Sequence, residues 1–112
     1  MSKREAALYI EDILTSIEKI ENYTQNMSFE EFCNDYKTID AVVRNLSIIG
    51  EAVNNIPEET KEKYPNISWR GAIGMRNKVV HEYFGVDEEI LWKTIRENLP
   101  NLKKQILEMD RK

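Results

Sequence analysis

The sequence predicts an all-α protein, an up-and-down bundle of four main helices and one short helix. Apolar residues recur at helical spacing along the 112-residue chain, and no segment alternates apolar and polar residues as a half-buried strand would. Only four glycines and three prolines are present, so long loops are not expected. Chain length predicts one domain spanning residues 1–112.

The first helix is predicted from about Lys3 to Tyr23 because its apolar residues follow the i, i+3, i+4, i+7 rule. Ser28, with Glu31 three residues later, predicts a capping box and the start of a second helix. That helix is expected to run from Phe29 to Asn55, either as one helix or as two helices broken near 34–37. The first apolar stripe is Ile10, Ile13, Leu14, Ile17 and Ile20, and the second is Phe32, Tyr36, Ile39, Val43, Leu46, Gly50 and Val53.

Pro57 is expected in the first turn of a short helix that ends at Tyr64-Pro65. Ser68 is expected to cap a fourth helix that runs to about Tyr83. Asp87 is expected to cap the last helix, which Pro100 should kink because its ring clashes with the carbonyl four residues back. Predicted core residues are Trp69, Ile73, Val80 and Phe84 on the fourth helix and Leu91, Ile95, Leu99, Leu102, Ile106 and Met109 on the last.

Both long helices also carry apolar residues away from their main stripes. A bundle of this size has little interior left to cover them. We therefore expect a homodimer with a helical interface. The residues are Val42, Ile48, Ile49, Ile90 and Trp92.

Composition limits the functions to consider. The net charge of −4 argues against nucleic-acid binding by the whole surface. Residues 60–81, however, hold five basic residues against Glu62, a balance of +4. This segment is a candidate anion site, although a few solvated lysines would explain the charge equally well.

Cys33 is the only cysteine, so an intrachain disulfide is excluded and a reducing cytoplasm is expected. Its helical context favours a packing role over a reactive thiol. One cysteine and one histidine leave little for a zinc site, so no metal is expected. The chain has no run of 18 apolar residues and no signal-peptide pattern at its start, so no membrane association is expected.

Four polar residues near the predicted end of the fourth helix are not explained by core packing: Arg76, Asn77, His81 and Tyr83. A purely structural interpretation pairs Arg76 with an acidic neighbour and lets His81 cap the helix. On an ideal helix Arg76 and Tyr83 share one line, whereas Arg76 and His81 lie about 140° apart. A common site therefore requires a distorted helix, a long reach by Arg76 or a symmetry mate.

The order Arg76-Asn77-x-x-x-His81-x-Tyr83 resembles the signature of HEPN-superfamily ribonucleases. The whole chain resembles the HepT branch of that superfamily. The further motifs that carry the resemblance are Ser28-Phe-Glu-Glu-Phe32, Ala41-Val-Val-Arg44, Ile49-Gly-Glu-Ala52, Pro65-x-Ile-x-Trp69, Gly74-Met-Arg-Asn77 and Leu99-Pro100.

The resemblance implies a homodimeric, metal-independent endoribonuclease without a cofactor, the toxin of a toxin–antitoxin pair. RNA is then the substrate, Arg76 and His81 are catalytic, and Asn77 and Tyr83 support them. The implied antitoxin is a minimal nucleotidyltransferase of the MntA type, which attaches AMP to Tyr83. Arg44 and Glu51, seven residues apart on the second helix, either support the cleft between protomers or form a structural ion-pair network.

Two alternatives remain at the level of the sequence. The chain could be a non-catalytic module that binds a nucleotide, or that serves as partner of the nucleotidyltransferase, since Arg76 and Tyr83 would suit a phosphate and a base. The acidic net charge favours this alternative, because strong RNA binding usually requires a basic face. A purely structural helical dimer is the other alternative, and it leaves the polar residues at 76–83 unexplained.

Overall fold

The computed structural model describes residues 3–74 and 87–109, with side-chain burial from residue 6 onward. The secondary structure within these ranges is helical, which confirms the all-α prediction. The elements are α1 (Lys3–Thr24), α2 (Phe29–Cys33), α3 (Tyr36–Asn55), α4 (Glu58–Lys63), α5 (described over 69–74), α6 (Glu88–Lys93), a π-helical segment (Thr94–Asn98) and α7 (Leu99–Leu107).

Helix α1 forms one wall of the core. It packs along α3 and also contacts α7. The five predicted stripe residues of α1 are all buried, with Ile13, Ile17 and Ile20 fully so. The predicted inner face of the last helix is buried as well, from Leu91 to Met109. These elements share a single apolar cluster, to which Trp69 and Ala72 of α5 also belong.

The second predicted helix is two helices, so its continuous form is wrong and the broken form is confirmed. The capping box that starts α2 is present: Ser28 Oγ accepts from Glu31 N at 3.1 Å, and Glu31 Oε1 accepts from Ser28 N at 2.9 Å. Helix α2 ends after one turn, and Asp35 Oδ1 caps α3 by accepting from Thr38 N at 3.0 Å.

Three details of the helices differ from prediction: two concern the apolar stripes and one concerns the start of α4. Tyr36 is 74% exposed, because the break before it changes the chain direction and the spacing from Phe32 no longer holds. Val42 and Ile49 are buried within the chain itself rather than left for a partner. Helix α3 contacts both α1 and α2, so more than one of its faces is covered. Pro57 precedes α4 as its N-cap residue and does not lie in the first turn.

The last helix starts as predicted. Asp87 Oδ1 accepts from Glu89 N at 3.0 Å and from Ile90 N at 3.3 Å. The interruption expected at Pro100 takes the form of the π-helical segment, which ends immediately before α7, the helix whose first turn contains the proline. Proline lacks the N–H that would bond to the carbonyl of Arg96, and a locally wider helix accommodates the missing bond.

The structure describes the first part of the fourth predicted helix, over residues 69–74. Its start at Trp69, directly after Ser68, is confirmed. Its end near Tyr83 and its core residues Val80 and Phe84 lie outside the described residues. Within the described ranges, no helix combines the length and the apolar character needed to cross a membrane.

Candidate functional site

The candidate catalytic residues Arg76 and His81 and the supporting residues Asn77 and Tyr83 lie outside the described residues. The structure does describe how the chain leads into this segment. Helix α5 begins at Trp69, which is 6% exposed and donates from Nε1 to the Tyr64 carbonyl at 3.1 Å. Ala72, one turn later, is buried against the core. The chain therefore enters the signature segment from an anchored position.

A second anchor ties the start of α5 to α7. Gln105 Oε1 accepts a hydrogen bond from Ser68 N at 3.2 Å, across 37 residues of sequence. Ser68 N is one of the backbone donors that a helix start leaves without an intrahelical partner. This contact is not predictable from the sequence, because nothing in the local pattern at Gln105 indicates which backbone group its side chain will meet.

Arg44 and Glu51 lie on α3 and line the same groove, as their spacing of seven predicts. Tyr9 and Asp12 of α1 form the opposite side, and the groove has a volume of about 480 Å³. Both Arg44 and Glu51 are exposed. Charges of both signs therefore share the groove: one arginine stands with two carboxylates, which makes the groove a weak site for a polyanion by itself.

The basic segment is partly neutralised by its own neighbours. Lys61 Nζ lies 3.7 Å from Glu58 Oε1, one helical turn away. Lys63 Nζ lies 5.7 Å from the centre of the Tyr64 ring. A ring contact leaves the charge of Lys63 in place, so the positive charges without a carboxylate partner named above are those of Lys63, Arg70, Arg76 and Lys78.

A second concave surface, not predicted from the sequence, lies between the start of α5 on one side and the π-helical segment and α7 on the other. Its volume is about 210 Å³. Asn98, Asn101 and Gln105 line one side and Ser68 lines the other. We call this surface the amide groove. The spacing of three and four residues among its amides is visible in the sequence, but the same pattern is typical of a solvated helix face.

Cys33 has the character of a packing residue. Its side chain is half-buried and forms no disulfide. Burial raises the pKa of the thiol, and the carboxylates of Glu88, Glu89 and Glu30 raise it further. A raised pKa lowers the thiolate fraction, which is the reactive form. In residues 3–74 and 87–109, no cluster of three or more histidine, cysteine, aspartate or glutamate side chains is arranged to hold a metal ion.

Comparison with known proteins identifies the family to which the chain belongs. The family described as "Ribonuclease HepT-like" matches residues 13–109. A protein of Thermococcus cleftensis named "Probable ribonuclease HepT" is 50% identical over 101 residues, which cover 90% of this chain and 92% of that protein.

Two further relatives are each named as a "Putative RNase". The one from Methanocaldococcus jannaschii is 41% identical over 109 residues, or 97% of this chain and 90% of the relative. The one from Caldanaerobacter subterraneus is 45% identical over 101 residues, or 90% of each chain. No solved structure matches the chain. Because the family match covers most of the sequence, the chain belongs to the HepT-like ribonuclease family.

Proposed function

We propose that the chain is a metal-independent endoribonuclease, the toxin component of a toxin–antitoxin pair, which cleaves RNA with Arg76 and His81. The observation that carries this proposal is the family match over residues 13–109, a range that contains the whole Arg76-x-x-x-x-His81-x-Tyr83 signature. Relatives that align over nine-tenths of this chain are named as ribonucleases. A cytoplasmic RNA pool would supply the substrate.

The residues suit cleavage by the RNA's own 2′-hydroxyl. His81 removes the proton of that hydroxyl, whose oxygen attacks the adjacent phosphorus while the bond from phosphorus to the 5′-oxygen breaks. The leaving 5′-oxygen takes up a proton, and the products are a 2′,3′-cyclic phosphate and a 5′-hydroxyl. An unperturbed imidazole has a pKa of about 6.5, so both of its forms are populated near neutral pH.

Arg76 stabilises the charge that builds on the phosphate. A guanidinium can donate two parallel hydrogen bonds to phosphate oxygens, and this interaction strengthens as the transition state gains negative charge. Asn77 lies four residues before His81, on the same line of an ideal helix, and is placed to orient the imidazole or to contact RNA.

The proposed assembly is a homodimer with the signature lining a cleft between two copies. Arg76 and His81 diverge by about 140° on a straight helix, so one copy does not easily direct both side chains at one phosphate. In a cleft between two copies whose signature segments face each other, an arginine and a histidine side chain can act on the same phosphate. In this arrangement His81 of one copy is the base, and the partner's His81 protonates the leaving oxygen.

Tyr83 is the proposed point of control. It lies on the same helical line as Arg76, so an AMP attached to its hydroxyl would place a bulky anion against Arg76 and obstruct the RNA site. The enzyme proposed to attach it is a minimal nucleotidyltransferase of the MntA type. Incubation with that enzyme and ATP should add roughly 329 Da per AMP. A Tyr83→Phe chain that gained the same mass would place the modification elsewhere.

The central test is RNA cleavage in EDTA by the purified chain, with Arg76→Ala and His81→Ala beside it. Loss of the general base alone should slow cleavage by about 10²-fold or more. Asn54→Ala is the matched control. Asn54 is exposed near the C-terminal end of α3, and this variant should cleave RNA like wild type. Undiminished cleavage by either signature variant would refute the assigned roles.

A second candidate function is a nucleotide-binding or partner-binding subunit without catalysis. The net charge of −4 and the isoelectric point of about 5.1 favour it, because a surface of that charge does not attract RNA at long range. Mass spectrometry before the assay separates the two functions. Unmodified protein that binds AMP yet leaves RNA intact in both EDTA and magnesium would establish the binding subunit.

A further inference from the structure

We propose that the amide groove binds one unpaired base of the RNA substrate within a few nucleotides of the scissile phosphate and so gives the enzyme a base preference. The inference rests on the proposed function, since it assigns a substrate contact to that activity. It is carried by the chemistry of the groove walls, by the size of the groove and by its distance along the chain from Arg76.

The walls present neutral hydrogen-bonding groups. Asn98 and Asn101 are exposed, with side-chain amides that line the groove. Each amide offers an NH₂ donor and a carbonyl acceptor, the pair that complements the edge of a nucleobase. Gln105 already accepts from Ser68 N at 3.2 Å, so the group it can offer a ligand is its NH₂.

The floor and the size suit a ring rather than a phosphate. Ala72 and Leu102, 1% and 3% exposed, contribute apolar surface between the polar walls. None of the residues that line this groove is charged. The volume of about 210 Å³ is below the range of about 300–1,000 Å³ typical of sites for drug-sized ligands. One base fits these dimensions better than a complete nucleotide does.

Gly71 lines the groove beside Ser68. A methyl group on Gly71 would lie 3.3 Å from Ser68 Cβ, closer than ordinary van der Waals contact. A side chain at this position would therefore crowd the wall of the groove that Ser68 forms.

Chain connectivity places the groove near the reaction. Ala72 lines the groove and Arg76 follows it by four residues. Four residues span at most about 14 Å even when fully extended. A base in the amide groove is therefore within a few nucleotides of any phosphate bound by Arg76, and the side chains that line the groove can select the cleavage position.

The test uses RNA that cannot be cut. Four 2′-O-methyl hexanucleotides, one for each base and labelled with fluorescein, lack the 2′-hydroxyl that cleavage needs. Fluorescence anisotropy should show wild type preferring one base over the others by about fivefold or more, the discrimination expected from one pair of amide hydrogen bonds. Asn98→Ala/Asn101→Ala should reduce that preference to about twofold or less.

Asn54→Ala is the matched control, since it removes an exposed helical amide outside the groove and should keep the wild-type preference. Asn101→Ala alone serves if the double variant unfolds. Equal affinity of wild type for all four oligomers, or an unchanged preference in the groove variants, would overturn the inference. A base preference in a chain that leaves natural RNA intact would overturn the nuclease and retain the base site.

Discussion

At the scale of single residues, Arg96 makes contacts with the α1–α2 turn and with Trp92 that the sequence pattern around it does not predict. Its Nη2 donates to the Thr24 carbonyl at 2.9 Å and to the Met27 carbonyl at 3.2 Å. Its guanidinium carbon also lies 4.2 Å from the centre of the Trp92 ring. These bonds go to the carbonyl of the last residue of α1, where no intrahelical donor is available, and to a carbonyl in the turn that follows.

Trp92 completes this cluster. Its ring centre lies 5.1 Å from that of Phe32 and 6.0 Å from that of Phe29. The separations are typical of favourable tilted aromatic pairs. Trp92 was predicted to contribute to a dimer interface, and within one chain it is half-buried between α2 and Arg96. One cation thus fixes the turn between α1 and α2 onto the last helix.

We predict that Arg96→Lys lowers the free energy of unfolding by about 1–2 kcal/mol. Lysine keeps the charge but lacks the planar fork that donates to two carbonyls and stacks on an indole. Urea denaturation followed by circular dichroism measures the change. Arg70→Lys, on the exposed side of α5, is the control and should leave stability near wild type. Equal midpoints for all three proteins would contradict the role given to Arg96.

At the scale of elements, two polar residues decide that α2 and α3 are separate. Asn34 Nδ2 donates to the Glu30 carbonyl at 3.0 Å, and Asp35 Oδ1 accepts from Thr38 N at 3.0 Å. Short polar side chains offer the backbone an alternative to helical bonds, so they end one helix and begin the next. Within α3, Val42 and Ile49 lie three residues after Ile39 and Leu46, on the same buried face of the helix.

The cap at Asp35 should make stability depend on pH in a defined direction. Hydrogen bonds from the backbone and side chain of Thr38 hold the pKa of Asp35 below its ordinary value. A carboxylate with a depressed pKa contributes stability above its unfolded pKa of about 3.9, and that contribution is lost as pH falls through the folded pKa.

We therefore predict that Asp35→Ala melts at a lower temperature than wild type at pH 7, and that the gap narrows below about pH 4. Thermal unfolding at pH 7 and pH 3 measures both gaps. Asp35→Asn retains an acceptor but does not titrate, so its gap should be smaller at pH 7 and change less with pH. A gap for Asp35→Ala that is as large at pH 3 as at pH 7 would show that the charge of the cap contributes nothing.

At the scale of the whole molecule, the case for a dimer rests on fewer residues than the sequence suggested. Val42 and Ile49 are covered within one chain, while Ile48 and Ile90 are only half-buried. Ile48 lines the groove between α1 and α3, next to Arg44 and Glu51. The proposed cleft therefore depends mainly on the geometry of the signature and on the family resemblance.

A mixed dimer tests whether both copies serve one reaction. A dimer of wild type and His81→Ala, isolated with two affinity tags, should cleave RNA at well under one-tenth of the wild-type rate. The partner's His81 supplies the general acid in the proposed mechanism, and such a group contributes about 10²-fold or more. A mixed dimer with Asn54→Ala is the control. Retention of half the activity would mean independent sites, and a monomeric mass in sedimentation would remove the shared cleft.

The helical class, the capping box at Ser28, the helix start after Ser68, the cap at Asp87 and the buried stripe of α1 follow from the sequence alone. They depend on residues within one or two helical turns of each other, and the spacing of residue types along the sequence predicts such contacts directly. The signature is likewise visible in the sequence, because it is an ordered set of residue types at fixed intervals.

Only the tertiary structure decided the contacts between residues distant in the chain. Arg96 meets the end of α1 from 72 residues away, and Gln105 meets the start of α5 from 37 residues away. Val42 is covered because the face of α3 that carries it packs into the core of its own chain, and the amide groove exists because two helices approach there. Such contacts depend on how helices pack in three dimensions, and helical periodicity in a single sequence shows which face is apolar without showing what covers it.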